Sequence, residues 1–97
     1  MSWAMLTAGA RIRSIRDRLG LSQPEFGQLV GAHWVTVSRW ERDELTPSPY
    51  QMGLIERFGE AAREGKKQLG DSVKAAIVTV GVVAALFLLL RAAFEEK

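Results

Sequence analysis

Residues 21–48, LSQPEFGQLVGAHWVTVSRWERDELTPS, decide the fold, because they predict two short helices on either side of Gly31. Ser22 and Glu25 are spaced as a capping box, in which the serine hydroxyl accepts from the Glu25 amide and the carboxylate reaches back. The second helix of the chain is therefore predicted to begin here, and Gly31 is predicted to end it in the left-handed conformation. Its core face consists of apolar residues at helical spacing, Phe26, Leu29 and Val30.

A third helix is predicted from about Trp34 to Arg42, after a tight turn over residues 31–33. Val37 and Trp40 are spaced to point inward, and residues 43–47 (DELTP) break the helix. Two short helices joined in this way form a helix-turn-helix, which presents its second helix to the major groove of DNA.

Helices are also predicted on both sides of this stretch. The first covers residues 6–19 and is stopped by Gly20, with apolar residues near one face. The fourth begins at a second capping box, SPYQ at residues 48–51, and continues to about Gly65. Its packing residues are Met52, Ile55 and Phe58.

Residues 21–48 resemble the Cro/CI-type (XRE, lambda-repressor-like) helix-turn-helix family, and a looser similarity extends over residues 8–62. The matching positions are Leu21, Ser22, Gln23, Phe26, Gly31, Thr36, Val37, Ser38, Arg39, Trp40 and Glu41. The resemblance implies an all-α fold: a compact four-helix lambda-repressor-like domain, here followed by one long hydrophobic C-terminal helix.

The resemblance also implies roles for individual residues. The base edges of double-stranded DNA would be contacted from the third helix, by Trp34, Val35, Thr36, Ser38 and Arg39. Arg39 has the donor geometry for a bidentate contact with guanine O6 and N7. The DNA backbone would be contacted by Gln23, which would also brace the third helix, and by Arg42, Arg11 and Arg13. The family usually binds DNA as a dimer.

Three departures from the family pattern bear on this interpretation. Gly27 lies where the family prefers alanine, and His33 lies where the third helix usually has a serine or threonine cap. Trp34 and Val35 replace polar readers, so they offer apolar contacts to a thymine methyl rather than hydrogen bonds. A second interpretation of Trp34 is an anchor for a protein partner.

Composition excludes several classes of function. The 97 residues contain no cysteine and one histidine, so disulfides, thiolate metal sites and histidine-only metal sites are excluded. No carboxylate pair and no phosphate-binding glycine loop is evident, and we expect no catalytic residue, no metal and no cofactor. The net charge of +2 permits nucleic acid as a partner without requiring it.

The C-terminal part of the chain contains an apolar run. Residues 75–90, AAIVTVGVVAALFLLL, carry no charge, and with their flanks they predict one helix over residues 73–94. Twenty-two residues span about 33 Å, enough for a membrane, with Lys74 and Arg91 at the two ends. The membrane-facing or oligomerising residues would be Ile77, Val80, Gly81, Ala85 and Leu88. The alternative is an oligomerisation helix outside a membrane.

The predicted organisation is a helix-turn-helix domain over residues 1–64, a linker over 65–72, the hydrophobic helix over 73–94 and a polar tail over 95–97. The positive-inside rule then predicts an inner (cytoplasmic) membrane protein with its helix-turn-helix in the cytoplasm, or else a cytoplasmic protein. The leading hypothesis is a membrane-tethered DNA-binding protein, bacterial or phage, that regulates transcription or tethers DNA. Its partners would be double-stranded DNA, membrane lipid through residues 73–94 and a second copy. Two alternatives are a membrane-anchored scaffold whose helix-turn-helix binds a protein partner, and a soluble repressor that oligomerises through its C-terminal helix.

Overall fold

The computed structural model describes residues 6–64 and 67–94, and these ranges contain six helices. In chain order they are α1 (Ala8–Leu19), α2 (Gln23–Val30), α3 (Trp34–Glu41), α4 (Pro49–Glu64), α5 (Lys67–Thr79) and α6 (Val82–Phe94). The first four confirm the predicted all-α character and lie within a few residues of the predicted positions.

Local polar signals fix the ends of the early helices. The Thr7 hydroxyl accepts from the Ala10 amide at 3.0 Å and begins α1, and Gly20 ends it with a φ of 70°. The capping box of α2 is complete, since the Ser22 hydroxyl accepts from the Glu25 amide at 3.1 Å while the Glu25 carboxylate accepts from the Ser22 amide at 2.8 Å. Each cap satisfies backbone groups that the helix itself leaves unpaired.

One apolar cluster joins all six helices into a compact globule. Phe26 and Phe58 meet edge to face with ring centroids 6.0 Å apart, and this contact joins α2 to α4. Ile12, Ile55 and Val37 are fully enclosed around them. The later helices contribute Val73, Ala76, Ala85, Leu89 and Ala93 to the same cluster.

The prediction of one long hydrophobic C-terminal helix is wrong, because the apolar run folds back on itself at Gly81. The φ of Gly81 is 129°, a conformation that residues with a Cβ rarely adopt. Before it, the Ala76 carbonyl accepts from the amides of Val80 and Gly81 at 2.9 and 2.7 Å, which closes α5. Residues 67–72, for which the sequence predicts a linker, form the first part of α5.

Two 13-residue helices replace the predicted 22-residue span. Each is about 20 Å long, against a hydrocarbon thickness near 30 Å. Of the helices in the described ranges, none has the length and apolar content needed to cross a membrane. The predictions of a membrane-spanning anchor and of an inner-membrane localisation are therefore wrong. Part of the apolar run is buried instead within the protein, since α6 packs on α2, α4 and α5, and α5 also packs on α1.

The contact between α5 and α1 depends on glycine at position 70. A methyl group on Gly70 would overlap the carbonyl oxygen of Leu19, at the end of α1. The two helices therefore approach with backbone against backbone at this point. The sequence GKKQLGDS, which suggests a polar linker, contains this packing glycine.

Candidate nucleic-acid interface

The turn between α2 and α3 is tight and has specific backbone requirements. Gly31 adopts the left-handed conformation with a φ of 71°, and the Gly27 carbonyl accepts from the Ala32 amide at 2.8 Å. A Cβ on Gly27 would overlap the Ala32 carbonyl oxygen. The absence of a side chain at Gly27 therefore permits α2 to lie against the backbone of the turn at Ala32.

His33 caps the start of α3. Its Nδ1 accepts from the Val35 amide at 3.2 Å, and its backbone carbonyl accepts from the Thr36 and Val37 amides at 2.9 and 3.1 Å. The imidazole nitrogen thus performs the acceptor role that a serine or threonine oxygen has at most helix starts. The ring also lies beside that of Trp34, with centroids 5.8 Å apart.

α3 has an inward and an outward face. Val37 and Trp40 are buried, as predicted from their spacing. On the other side the indole of Trp34 is 48% exposed and Arg39 is exposed. The five residues predicted to contact base edges all lie on α3 outside its buried set, with Val35, Thr36 and Ser38 half-buried.

A partly buried polar cluster holds α3 against α1 and α2. The guanidinium of Arg16 makes a bidentate ion pair with Glu41, with Nε to Oε2 at 2.6 Å and Nη2 to Oε1 at 3.0 Å. Gln23 Nε2 donates to the same carboxylate at 3.1 Å, and Arg16 Nη1 donates to the Leu21 carbonyl at 2.9 Å. The side chains of Arg16 and Glu41 are only 13% and 6% exposed. We call these three side chains, Arg16, Gln23 and Glu41, the α3 clamp.

The electrostatics of the α3 clamp favour the charged form of Arg16. The hydrogen bond and the negative charge of Glu41 raise the pKa of Arg16 above its already high ordinary value, against the opposing effect of burial. Within residues 6–64 and 67–94, every buried side-chain nitrogen and oxygen has a hydrogen-bond partner. The clamp therefore carries no uncompensated polar atom, which is the condition for a buried ion pair to be tolerated.

Sequence reasoning assigned only Gln23 to bracing α3. It missed Arg16 and Glu41 because 25 residues separate them, so no helical spacing relates the two. The available signal was an arginine at the edge of the apolar face of α1, together with an acidic residue at the end of α3. Only the fold brings them together.

The predicted DNA-backbone arginines occupy different surfaces. Arg42 caps the end of α3, where its Nε donates to the Ser38 carbonyl at 3.3 Å and its Nη1 pairs with Glu44 at 3.3 Å. Arg13 is exposed on α1, with its Nε 3.9 Å from an Asp17 carboxylate oxygen. Arg11 lines an open groove of about 500 Å³ between α1 and α4. Of the three, Arg42 is the one that the fold places at α3 itself.

The five residues predicted to face a membrane or a second copy do not share one surface, because the chain turns at Gly81. Ala85 is fully buried, and Ile77 and Leu88 are half-buried against the core. Gly81 lies directly before α6, and its carbonyl accepts from the Ala85 amide at 3.2 Å. The two residues are therefore one turn apart at the start of α6, but Ala85 is enclosed by the protein's own core. Val80 alone is largely exposed among the five.

Comparisons with known proteins identify no family for this chain. No family model matches it, and no curated protein or solved structure was found to be similar.

Proposed function

We propose that this protein binds double-stranded DNA through the outward face of α3, as a helix-turn-helix transcriptional regulator or DNA tether of the Cro/CI-like class. The observation that carries the proposal is an eight-residue helix whose inner face is buried, whose two ends are capped, and whose outer face presents Arg39. A helix entering the major groove needs this arrangement, because its readers must be exposed while its axis stays fixed.

Each group on α3 has a distinct part in this proposal. Arg39 reads a guanine through its two guanidinium N–H groups, and Thr36 and Ser38 supply hydroxyls to base edges or phosphates. Trp34 and Val35 pack on thymine methyl groups at the first turn. Arg42 contacts a phosphate beside the groove and adds affinity that does not depend on sequence.

The α3 clamp supports the proposal in a different way. It ties the end of α3 to α1 and α2 through charged hydrogen bonds, so that the recognition helix cannot shift relative to the rest of the domain. α2 in turn packs on α6, so the C-terminal helices contribute to the rigidity of the reading unit. Such rigidity lowers the entropic cost of placing several side chains against bases at once.

The test compares Arg39→Glu with Arg63→Glu in the full chain. Both substitutions reverse one exposed charge, and Arg63 lies on α4 beside the groove that α4 forms with α1. The ligand is a duplex selected from a random pool by the wild-type protein, and binding is followed by fluorescence anisotropy. Loss of a bidentate guanine contact is worth about 1–3 kcal/mol, so we expect Arg39→Glu to weaken binding by at least about tenfold.

Two outcomes would contradict DNA binding through α3. One is the failure of the wild-type protein to retain any duplex at moderate salt. The other is an equal loss of affinity in the Arg39 and Arg63 variants, which would indicate a general electrostatic attraction rather than readout by α3. A salt titration separates these cases, because each lost phosphate contact lowers the slope of log K against log salt by roughly 0.9.

A second candidate function is binding of a protein partner at the start of α3, in a scaffolding role. It is favoured by Trp34, whose indole is 48% exposed next to the His33 ring. Exposed tryptophans are enriched among residues that dominate protein interfaces. Under this alternative, Trp34→Ala abolishes partner binding while Arg39→Glu leaves it largely intact; under DNA binding, Arg39→Glu has the larger effect.

A further inference from the structure

The open groove between α1 and α4 has the size of a small-molecule site. Its volume is about 500 Å³, within the range of about 300–1,000 Å³ that is typical of such sites. Ile15 of α1 and Gly59 of α4 meet in it, and a Cβ on Gly59 would lie only 3.1 Å from Ile15 Cδ1. Its lining residues in the described ranges belong to α1 and α4, so it is separate from the outward face of α3. We call it the α1–α4 groove.

The inner part of the α1–α4 groove is apolar. Ile12, Ile15 and Ile55 line it, and all three belong to the buried core. Met52 also lines it and is only half-buried, so part of its side chain is still in contact with water. Methionine is flexible and adapts to apolar groups of irregular shape. An apolar group bound in the groove would therefore lie against the core and cover Met52.

The charged side chains that line the α1–α4 groove carry a small positive excess. They are Arg11 and Arg18 on α1, and Glu56, Glu60 and Arg63 on α4. Three positive and two negative charges give a sum of +1, and Glu60 already accepts from Arg57 Nη1 at 3.3 Å. A ligand with one negative charge would neutralise this sum. A phosphate monoester, which carries nearly two negative charges, would reverse it.

Two of these arginines are available to a ligand. Within residues 6–64 and 67–94, Arg18 and Arg63 are exposed and make no ion pair. Arg18 is three residues from Ile15 and Arg63 is four residues from Gly59, so each lies within about 6 Å of the same contact along its helix axis. A guanidinium group presents its N–H donors in a planar fork that fits the two oxygens of a carboxylate.

We propose that the α1–α4 groove binds a small amphipathic carboxylate. Its apolar chain lies against Met52 and the core isoleucines, and its carboxylate lies between Arg18 and Arg63. The volume favours a small molecule over a partner helix, since two turns of a helix about 10 Å wide and 11 Å long occupy about 850 Å³. This site goes beyond the proposed DNA binding, because it uses none of the side chains on α3.

The test follows the binding of octanoate to the full chain by proton–nitrogen correlation NMR, below the concentration at which octanoate forms micelles. We expect saturable shifts of the amides of α1 and α4 that line the groove, with a dissociation constant of about 1 mM or below. A fully buried methylene group strengthens binding by about fourfold, so butyrate, which has four fewer, should bind at least about tenfold more weakly. Octan-1-ol, which has the same chain length without the charge, should produce less than about half of the shift at equal concentration.

The double variant Arg18→Gln/Arg63→Gln tests the charged part of the site. We expect it to raise the dissociation constant of octanoate by about five- to tenfold. The matched control is Arg13→Gln/Lys74→Gln, which removes two exposed positive charges that lie outside the groove. It should leave the dissociation constant within about twofold of the wild type. All four side chains are exposed, so circular dichroism should show unchanged helical content in both variants.

Four outcomes would overturn the proposal. One is the absence of saturable shifts with octanoate, and another is equal binding of octanoate and butyrate, which would indicate an adventitious ion only. The third is equal weakening in the two double variants, which would indicate a general attraction of anions. The fourth is a set of shifts confined to α5 and α6, which would place the ligand on other apolar residues. Since no DNA is present, failure of this site is distinguishable from failure of DNA binding, which the Arg39 comparison tests.

Discussion

The part of the molecule that contains α1 to α4, residues 6–64, and the C-terminal hairpin of α5 and α6, residues 67–94, are stabilised by different kinds of interaction. In the first part, side-chain caps begin α1, α2 and α3, and the buried α3 clamp joins three helices. In the hairpin, apolar packing and the close approach at Gly70 dominate, and α6 buries Ala85, Leu89 and Ala93.

This difference explains why the helices of the first part could be predicted from the sequence and the hairpin could not. A cap depends only on residues that are close in sequence. Ser22 and Glu25 therefore predict the start of α2 without any information on the rest of the fold. An apolar run predicts only that its side chains will be removed from water. Whether lipid, a second chain or neighbouring helices cover it depends on distant parts of the fold.

Removal of the hairpin should have the largest effect on stability. A chain of residues 1–64 loses Val73 and Leu89, which are fully buried. At about 1.5–3 kcal/mol for each side chain, this loss alone is about 3–6 kcal/mol, against a total of about 5–15 kcal/mol for a domain of this size. We expect no cooperative thermal transition by circular dichroism. A sharp transition at the temperature of the full chain would show that residues 6–64 are independent of the hairpin.

The next largest effect should come from opening the α3 clamp. Glu41→Gln removes the carboxylate that makes the bidentate pair with Arg16 and leaves Asp17, at 3.6 Å, as the remaining negative charge beside the guanidinium. Arg16 stays protonated in the variant, because arginine is charged throughout the pH range in which proteins are folded. We expect a loss of about 3 kcal/mol in the free energy of unfolding, measured by urea denaturation. Glu44→Gln is the control, because the Arg42–Glu44 pair is about half exposed and should contribute less than about 1 kcal/mol. Equal effects of the two substitutions would show that burial of the clamp is unimportant.

A pair of glycine substitutions, one in α5 and one in α4, tests the close approach of α5 to α1. Gly70→Ala should destabilise the protein by about 1–3 kcal/mol, because the new methyl group overlaps the Leu19 carbonyl. Gly53→Ala, in α4, should stabilise it by about 0.5–1 kcal/mol, because a Cβ there meets no atom within 4 Å and helix propensity improves. Thermal denaturation of both variants provides the comparison. A shift of the same sign in both would mean that α5 does not approach α1 at Gly70.

The smallest expected effect concerns the cap of α3. His33→Ala removes the Nδ1 acceptor of the Val35 amide and should cost about 1 kcal/mol in unfolding free energy. His33→Ser restores an acceptor and should recover most of that loss in the same denaturation experiment. If serine and alanine were equally destabilising, the histidine would stabilise the turn through its contact with Trp34 instead.

Much of the fold was predictable from the sequence, up to Glu64. The caps at Ser22 and Ser48 and the stops at Gly20 and Gly31 gave α1, α2 and α4 their positions. The inward residues of α3 were also predictable, since Val37 and Trp40 are three residues apart on a short helix. These signals are local, and no other part of the chain overrides them.

The C-terminal prediction failed for a physical reason that involves a single residue. A glycine within an apolar run is compatible with a continuous helix, and its left-handed conformation at position 81 becomes favourable only because α6 gains a surface to pack on. The contacts of Gly70 with Leu19 and of Arg16 with Glu41 could not be predicted either, because each joins residues that are far apart in the sequence. Sequence spacing describes a helix face, but it does not describe which carbonyl or carboxylate lies opposite.

The position of α6 has a consequence for the synthesis of this protein. Leu89 and Ala93 belong to the same apolar cluster as Ile12. Residues of the first helix and of the last described helix therefore share one core. A chain made from its amino end at about 5–20 residues per second exposes the apolar faces of α1, α2 and α4 for several seconds before α6 emerges. The complete core therefore forms only after α6 has been synthesised, and until then those apolar faces remain open to contact with other unfolded chains.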